Sequence, residues 1–163
     1  MRNKASLLLL IAIFFATSAI AGEPAERVIV MKSAHLIYVM RGVKVLAKFR
    51  IALGSNPKGQ KHQQGDERTP EGVYVLDYRN GSSGYYKSMH ISYPNAEEAK
   101  AARIADVDPG GQIMIHGQKN GFGWLAPIVQ RFDWTDGCIA ITNAEMDRFW
   151  KLVPVGTTIE IRP

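Results

Sequence analysis

The sequence contains a single cysteine, Cys138, among its 163 residues. One thiol cannot form an internal disulfide, so cross-links do not hold this fold together. Zinc sites normally use three or four ligands at recognisable spacings. His116, Cys138 and Asp136 could supply three, but the other histidines lie in unrelated segments, namely His35, His62 and His90. We therefore predict that the chain binds no metal.

Basic residues are not concentrated enough to indicate a nucleic-acid partner. The net charge is only +5, from 20 lysines and arginines against 15 acidic residues, and no basic cluster is interleaved with aromatics. The sequence also lacks internal repeats, low-complexity tracts and linkers. Residues 22–163 are long enough to bury a core of their own, so we predict one domain there.

Long apolar runs are absent except at the N-terminus. Two basic residues, Arg2 and Lys4, precede the apolar run Ala5–Phe15, and residues 19–21 have the small-x-small pattern that signal peptidase recognises. The run is short for a membrane span, which needs about 20 residues. This order predicts a signal peptide in residues 1–21 and no stable membrane insertion after its removal. An uncleaved membrane anchor is the alternative.

The lone thiol is unusual for an exported chain. In an oxidising compartment, proteins normally pair their cysteines or lack them. Cys138 then has three interpretations: it forms an intermolecular disulfide, it is buried and inert, or it is reactive. Composition alone leaves all three open.

Strand patterns dominate the chain. Val28–Met31 and Leu36–Met40 are apolar and rich in β-branched residues, and after a turn the odd positions from Val43 to Leu53 are apolar. This period of two predicts a half-buried strand in an antiparallel meander with its predecessor. Three further strands are predicted at Val73–Asp77, Gln112–His116 and Thr157–Ile161.

Two segments have helix signals. Each opens with a capping residue followed three positions later by a glutamate, which is the capping-box pattern. The predicted helices are Ala96–Ile104, capped by Asn95, and Asn143–Leu152, capped by Thr142. The fold class that follows is α+β, mostly β, with one or two packed helices.

Two short segments contain the residue types of a cysteine nucleophile and its base. A thiol needs a base to react at neutral pH, and imidazole is the usual one. His116 ends an apolar strand, and Cys138 follows Gly137 in a turn whose backbone N–H groups could form an oxyanion hole. A histidine and a cysteine this far apart in sequence are weak evidence by themselves.

Together with the polar loop Gly65–Gly72, these segments resemble the L,D-transpeptidase catalytic domain of bacterial cell-wall enzymes, over about residues 27–161. The family motif is a histidine and glycine, then Ser/Thr-His-Gly-Cys, usually continuing Cys-x-Arg-x-x-Asn. His116-Gly117, Gly137-Cys138 and Asn143 match it. The resemblance implies a β-sandwich-like fold with the cysteine in a pocket between a sheet and a covering loop.

The resemblance also implies roles for the matching residues. Cys138 becomes the nucleophile, His116 the base and Gly117 the backbone group that orients His116, while Gly137 shapes the nucleophile turn. Cys138 would attack the amide between the third and fourth residues of a peptidoglycan stem peptide, and an amine of a neighbouring stem would resolve the thioester. No cofactor is implied, and the expected location is the periplasm, in association with the cell wall.

Two positions depart from the motif. Asp136 stands where the family has histidine, and Ala140 stands where it commonly has arginine, so we interpret Asp-Trp-Thr-x-Gly-Cys as a branch of the family. The arginine is expected to hold the donor's carboxylate, and the substitutes considered are Arg68, Arg131 and Lys119. The candidate substrate-binding residues are Arg68, His90, Trp134 and Asn143.

Other functions remain open at this stage. Water instead of an amine would make the same site an L,D-carboxypeptidase or endopeptidase. A non-catalytic wall-binding module would make Cys138 dispensable. A papain-like peptidase is disfavoured because its cysteine precedes its histidine in the chain, and here the order is reversed.

Overall fold

One curled sheet of eight strands forms the body of the domain in the computed structural model, which describes residues 23–163. The strands are β1 (Arg27–Met31), β2 (Leu36–Arg41), β3 (Lys44–Arg50), β4 (Gly72–Asn80), β5 (Ser88–Ile91), β6 (Met114–His116), β7 (Ile139–Ala140) and β8 (Thr157–Arg162). The helices are α1 (Ala96–Ile104), α2 (Ala126–Val129) and α3 (Asn143–Leu152), with a single 3-10 turn at Gly123–Leu125. The order across the sheet is β3-β2-β1-β8-β4-β5-β6-β7.

The sheet curls until its two ends meet. Just after β3, the backbone of Ala52 exchanges two hydrogen bonds of 2.9 Å with Ala140 in β7, at the opposite end of the strand order. A sheet that folds over in this way encloses its inward-facing side chains, as a sandwich of two sheets does. The enclosed core includes Ile37, Leu76 and, from α3, Phe149, all fully buried.

The predicted fold class is confirmed: the domain is mostly β with packed helices, and one folded sheet takes the place of a two-sheet sandwich. Both predicted helices have the predicted bounds, and both capping boxes are formed. β5, β7 and α2 were not predicted, because each is too short to establish a period. The predicted signal peptide lies outside the described residues.

The predicted alternation in β3 is wrong in its first half. Ala47 and Phe49 are buried as expected, but Val43 lies in the hairpin turn with 96% exposure, and Val45 is 47% exposed. An irregularity in the pairing between Val39 and Met40 shifts the register of the two strands. Because a shift of one residue exchanges the two faces of a strand, the apolar side chain of Val45 is left outside.

The polar loop between β3 and β4 is held by a buried lysine. Lys32 is 3% exposed and extends from the end of β1 into the loop. Its Nζ donates to the carbonyls of Gly59 and Thr69 and to a carboxylate oxygen of Glu71, each at 2.8 Å. All three N–H donors of the ammonium are therefore used, as a buried charge requires.

Asp66 organises the second half of the same loop. One carboxylate oxygen accepts from Lys61 Nζ at 2.8 Å and from the N–H of Arg68 at 3.0 Å, and the other accepts from the N–H groups of His62 and Gln63. Burial acts to raise the pKa of Asp66, but these hydrogen bonds outweigh it and hold the pKa at about 2. Asp66 is therefore the centre of hydrogen bonding in this half of the loop.

Within residues 23–163, no helix is both long and apolar enough to cross a membrane.

We expect Asp66→Asn to lower the free energy of unfolding at pH 7 by about 1–2 kcal/mol, allowing for partial solvent screening. The depressed pKa means that the carboxylate stabilises the fold above the unfolded-state pKa of about 4 and loses this effect as the pH falls towards 2. Urea denaturation of both proteins at several pH values measures the difference, which should shrink below pH 4. Asp106→Asn, at an exposed position, is the matched control. Equal stability of Asp66→Asn and wild type at pH 7 would contradict this account.

Candidate active site

Adjacent strands bring His116 and Cys138 to the same place. β6 and β7 run parallel, with His116 opposite Ala140, and Cys138 immediately precedes β7. The N–H of Met114, in β6, donates to the Cys138 sulfur at 3.4 Å. The sheet therefore brings the two predicted catalytic residues near each other, although they are far apart in sequence.

Cys138 lies between two cavities. The histidine-side cavity has a volume of about 250 Å³, and its lining includes His116, Tyr85, Trp134 and Ser88. The lysine-side cavity has a volume of about 670 Å³, and its lining includes Lys61, Gln64, Asp108 and Gly110. Three residues line both, namely Gln112, Asp136 and Cys138. Cys138 therefore borders both cavities.

The His116 ring is held with one nitrogen engaged. Nδ1 lies 2.6 Å from the carbonyl oxygen of Gly117, which can only accept, so Nδ1 carries the hydrogen. In the neutral ring this leaves Nε2 with its lone pair, as a base requires. The ring packs against the rings of Tyr85 and Trp134, with centroids 4.7 and 5.8 Å away.

Both titratable groups of the pair are neutral near pH 7. Burial lowers the pKa of His116 below its ordinary range, and the bond to Gly117 offsets part of this effect. Burial raises the pKa of the Cys138 thiol, and the Asp136 carboxylate adds to the rise. The Met114 N–H and the positive charge of Lys61 act in the opposite direction. The site thus holds a thiol and a neutral imidazole rather than a preformed ion pair.

The turn before Cys138 is fixed by Thr135. Its hydroxyl donates to the carbonyl of Cys138 at 2.7 Å and accepts from the N–H of Gly137 at 3.2 Å. Gly137 has a φ of +122°, and a Cβ there would lie 2.7 Å from the carbonyl oxygen of Arg68. Because of this backbone conformation and this close approach, glycine is the residue that fits the turn. Its N–H is already bound, which removes it from the predicted oxyanion hole in this state.

The preceding residues attach this turn to the rest of the sheet. The Asp133 carboxylate accepts from the N–H of Leu53 at 2.8 Å and lies 2.9 Å from Nε2 of His35. The backbone of Thr135 bonds to Leu53 and Ser55, just beyond β3. The Asp-Trp-Thr segment is therefore pinned on both sides of Trp134, whose ring lines the histidine-side cavity.

Asn143, which was predicted to bind substrate, lies away from the two cavities and contacts the turn after β6. Its Oδ1 accepts from the N–H of Gln118 at 2.8 Å. A Cβ on Gly117 or Gly123 would lie within 2.8 Å of its amide group, so the side chain fills the space between these two glycines. Asn143 supports the turn that carries the Gly117 carbonyl, and it lines neither cavity.

His90 and Arg68 also lie outside the two cavities. His90 Nδ1 is 2.7 Å from an Asp77 carboxylate oxygen, and its ring stacks on Tyr78 at 4.6 Å. Arg68 Nη1 donates to the carbonyl of Gln60 at 3.2 Å. Of the four candidate substrate-binding residues, Trp134 alone borders the space around the sulfur.

The proposed substitutes for the motif arginine are elsewhere too. Arg131 lines a separate cavity with Arg50, and Lys119 is exposed, above the ring of Phe122. Ala140 is fully buried and bonded to Ala52, and it lines neither cavity beside Cys138. The cation that does line a cavity beside Cys138 is Lys61.

Sequence reasoning missed Lys61, Tyr85 and Thr135. Lys61 and Tyr85 lie in irregular segments whose path no periodicity predicts. Thr135 belongs to the Asp-Trp-Thr-x-Gly-Cys segment, but no role was predicted for it. A usable signal existed for Thr135, since a hydroxyl residue two positions before glycine often closes a turn. Among residues 23–163 there is no group of three or more histidine, cysteine or acidic side chains placed to hold a metal ion.

Comparison with known proteins gives matches of three kinds. The family model YkuD, described as the L,D-transpeptidase catalytic domain, matches residues 25–161. YafK of Escherichia coli (strain K12), classed by its name with the L,D-transpeptidases, is 31% identical over 122 residues, which cover 72% of this chain and 42% of YafK. The chain thus spans less than half the length of this relative.

Solved structures show the same fold. Pgp2, a helical cell shape determining protein of Campylobacter jejuni, aligns with a TM-score of 0.64 at 21% identity over 86% of this chain and 48% of Pgp2. An L,D-transpeptidase from Mycobacterium smegmatis aligns with a TM-score of 0.56 at 15% identity over 85% of this chain and 59% of that chain. With the family model covering most of the chain, this protein belongs to the L,D-transpeptidase catalytic-domain family.

Proposed function

We propose that Cys138 forms a thioester with a peptidoglycan stem peptide and that an amine of a second stem resolves it, in the periplasm at the cell wall. The observation that carries this proposal is that His116, in β6, and Cys138, just before the neighbouring strand β7, line one cavity, with the His116 ring oriented by the Gly117 carbonyl. Family membership supplies the substrate class.

The chemistry follows from the neutral state of both groups. Nε2 of His116 accepts the thiol proton as the Cys138 sulfur attacks the amide carbon. The N–H of Cys138 is the donor we assign to the developing oxyanion, because Thr135 already holds the N–H of Gly137. The protonated His116 then gives its proton to the leaving amine as the carbon–nitrogen bond breaks. An incoming amine reverses these steps and releases the enzyme.

Hydrolysis is a second candidate because of cavity size. The histidine-side cavity, at about 250 Å³, is below the usual range of about 300–1,000 Å³ for ligand pockets, whereas the lysine-side cavity of about 670 Å³ lies within it. A donor peptide fits the larger cavity, and water enters the smaller one more easily than a second peptide does. Water attacking the thioester would give an L,D-carboxypeptidase or endopeptidase.

Mass spectrometry of products from purified stem tetrapeptides distinguishes the two outcomes. A cross-linked dimer supports transfer to an amine, and a tripeptide alone supports hydrolysis. In either case an adduct on Cys138 with the mass of the tripeptide acyl group should be detectable after acid quenching. Absence of product and adduct with every stem peptide tested would refute the proposed function.

We expect Cys138→Ala to abolish turnover, because it removes the nucleophile that forms the thioester, and His116→Asn to lower kcat/KM by at least about 10³-fold, because it removes the base. Stem-peptide turnover measures both effects. His62→Asn, at an exposed position in the polar loop, is the control and should retain wild-type activity. Activity in His116→Asn near the wild-type level would remove the histidine from the mechanism.

The pKa shifts predict the pH dependence. Because burial lowers the pKa of His116, the base remains unprotonated below the ordinary histidine range, and the acidic limb of kcat/KM should lie at correspondingly low pH. Because burial raises the pKa of Cys138, alkylation by iodoacetamide should accelerate only above the ordinary thiol range. Rapid alkylation at pH 6 would instead reveal a preformed thiolate.

A further inference from the structure

Among residues 23–163, two lysines are buried, and they differ in how many of their N–H donors have an acceptor. Lys32 is 3% exposed and donates to three oxygen atoms, one for each N–H of its ammonium. Lys61 is 4% exposed, but within the described part of the chain it donates to two acceptors, the carbonyl of Gln63 at 3.0 Å and an Asp66 carboxylate oxygen at 2.8 Å. A buried ammonium carries three donors, so Lys61 has one N–H left.

Lys61 borders the lysine-side cavity, which Cys138 also lines. Lys61 lines the same cavity of about 670 Å³ as Cys138, and its charge is near enough to favour the thiolate form of the sulfur. Lys32 lines a different cavity, with Pro57 and Pro163. A buried donor without an acceptor is costly, so a ligand that supplies one gains more here than at the protein surface.

We propose that Lys61 forms a carboxylate-binding subsite in the lysine-side cavity, which positions an anionic substrate against Cys138. The subsite itself follows from the geometry of Lys61, and its occupant, a free carboxylate beside the attacked amide of a peptide, rests on the proposed function. The remaining Lys61 N–H donates to the carboxylate, and Asp66 keeps the ammonium in place from the opposite side.

The hydrogen bond from Lys61 to Asp66 does not use the remaining N–H of Lys61. Three backbone N–H groups, from His62, Gln63 and Arg68, already donate to the Asp66 carboxylate. Asp108 and Asp136, both exposed, line the same cavity, so it has no broad positive field that would concentrate anions. Carboxylate binding therefore depends on direct contact with Lys61, and added salt should weaken it only modestly.

A pair of small alkylating reagents tests the subsite without peptidoglycan. Iodoacetate carries a carboxylate and iodoacetamide does not, and in both reactions the Cys138 sulfur displaces iodide and loses its proton. We expect the iodoacetate-to-iodoacetamide rate ratio to fall about 10-fold in Lys61→Met and to recover in Lys61→Arg. Loss of thiolate character slows both reagents equally, so the ratio isolates carboxylate binding.

Two further variants keep this test decisive. Lys58→Met removes an exposed charge from the same loop and should leave the ratio unchanged. If Lys61→Met unfolds because Asp66 is left unpaired, the double variant Lys61→Met/Asp66→Asn removes both charges and takes its place. The rate ratio is compared in low salt and in 0.5 M salt, about the range where surface charges are screened. If the variant without Lys61 has the same ratio as the wild type in both, the proposal is overturned.

Peptide turnover separates this proposal from the proposed function. The wild type should prefer a stem tetrapeptide with a free C-terminal carboxylate over its C-terminal amide by roughly 10- to 100-fold in kcat/KM, and Lys61→Met should lose that preference mainly through KM. Turnover of both peptides at equal rates would overturn the Lys61 assignment alone. Turnover of neither, with a Lys61-dependent alkylation ratio, would overturn the peptidase chemistry and leave the subsite standing.

Discussion

The contact between the two ends of the sheet is the constraint on which this molecule depends. Two backbone hydrogen bonds join Ala52, at the end of the β2–β3 hairpin, to Ala140 in the last strand of the order. This closure brings the polar loop that follows β3 over the segment that carries Cys138. The carbonyl of Arg68 then rests against Gly137, and Lys61 reaches the cavity beside the sulfur. The Cys138 segment and the polar loop are therefore one packed unit.

The polar loop shows how a segment without regular structure is made rigid. Backbone groups that are not paired in a sheet need other partners when they are buried. Lys32 and Asp66 supply them, with a cation bonding to carbonyls and an anion bonding to N–H groups. Each ion also has a counter-ion, Glu71 and Lys61 respectively. The loop thereby acquires the fixed shape that a binding wall needs.

Sequence patterns predicted the fold class and both long helices, because caps and strand periods are local signals. They failed where geometry depends on partners distant in sequence. Val45 is outside because of an irregularity opposite it, at Val39 and Met40. Asn143 matched the motif, but its amide supports the histidine turn, and no local signal distinguishes that from substrate binding. The position of Lys61 beside the cavity was not predicted, because periodicity does not determine the path of an irregular loop.

The protonated state of the Cys138 sulfur has a consequence for the lifetime of the enzyme. Peroxides and small disulfides attack thiolates far faster than thiols, and the successive oxidation of a lone cysteine ends in acids that reductants do not restore. Because burial raises the pKa of its thiol, Cys138 spends little time in the vulnerable form near neutral pH. The burial that makes the Cys138 thiol less reactive thus also protects it from oxidation, in a chain that has no second cysteine to do so.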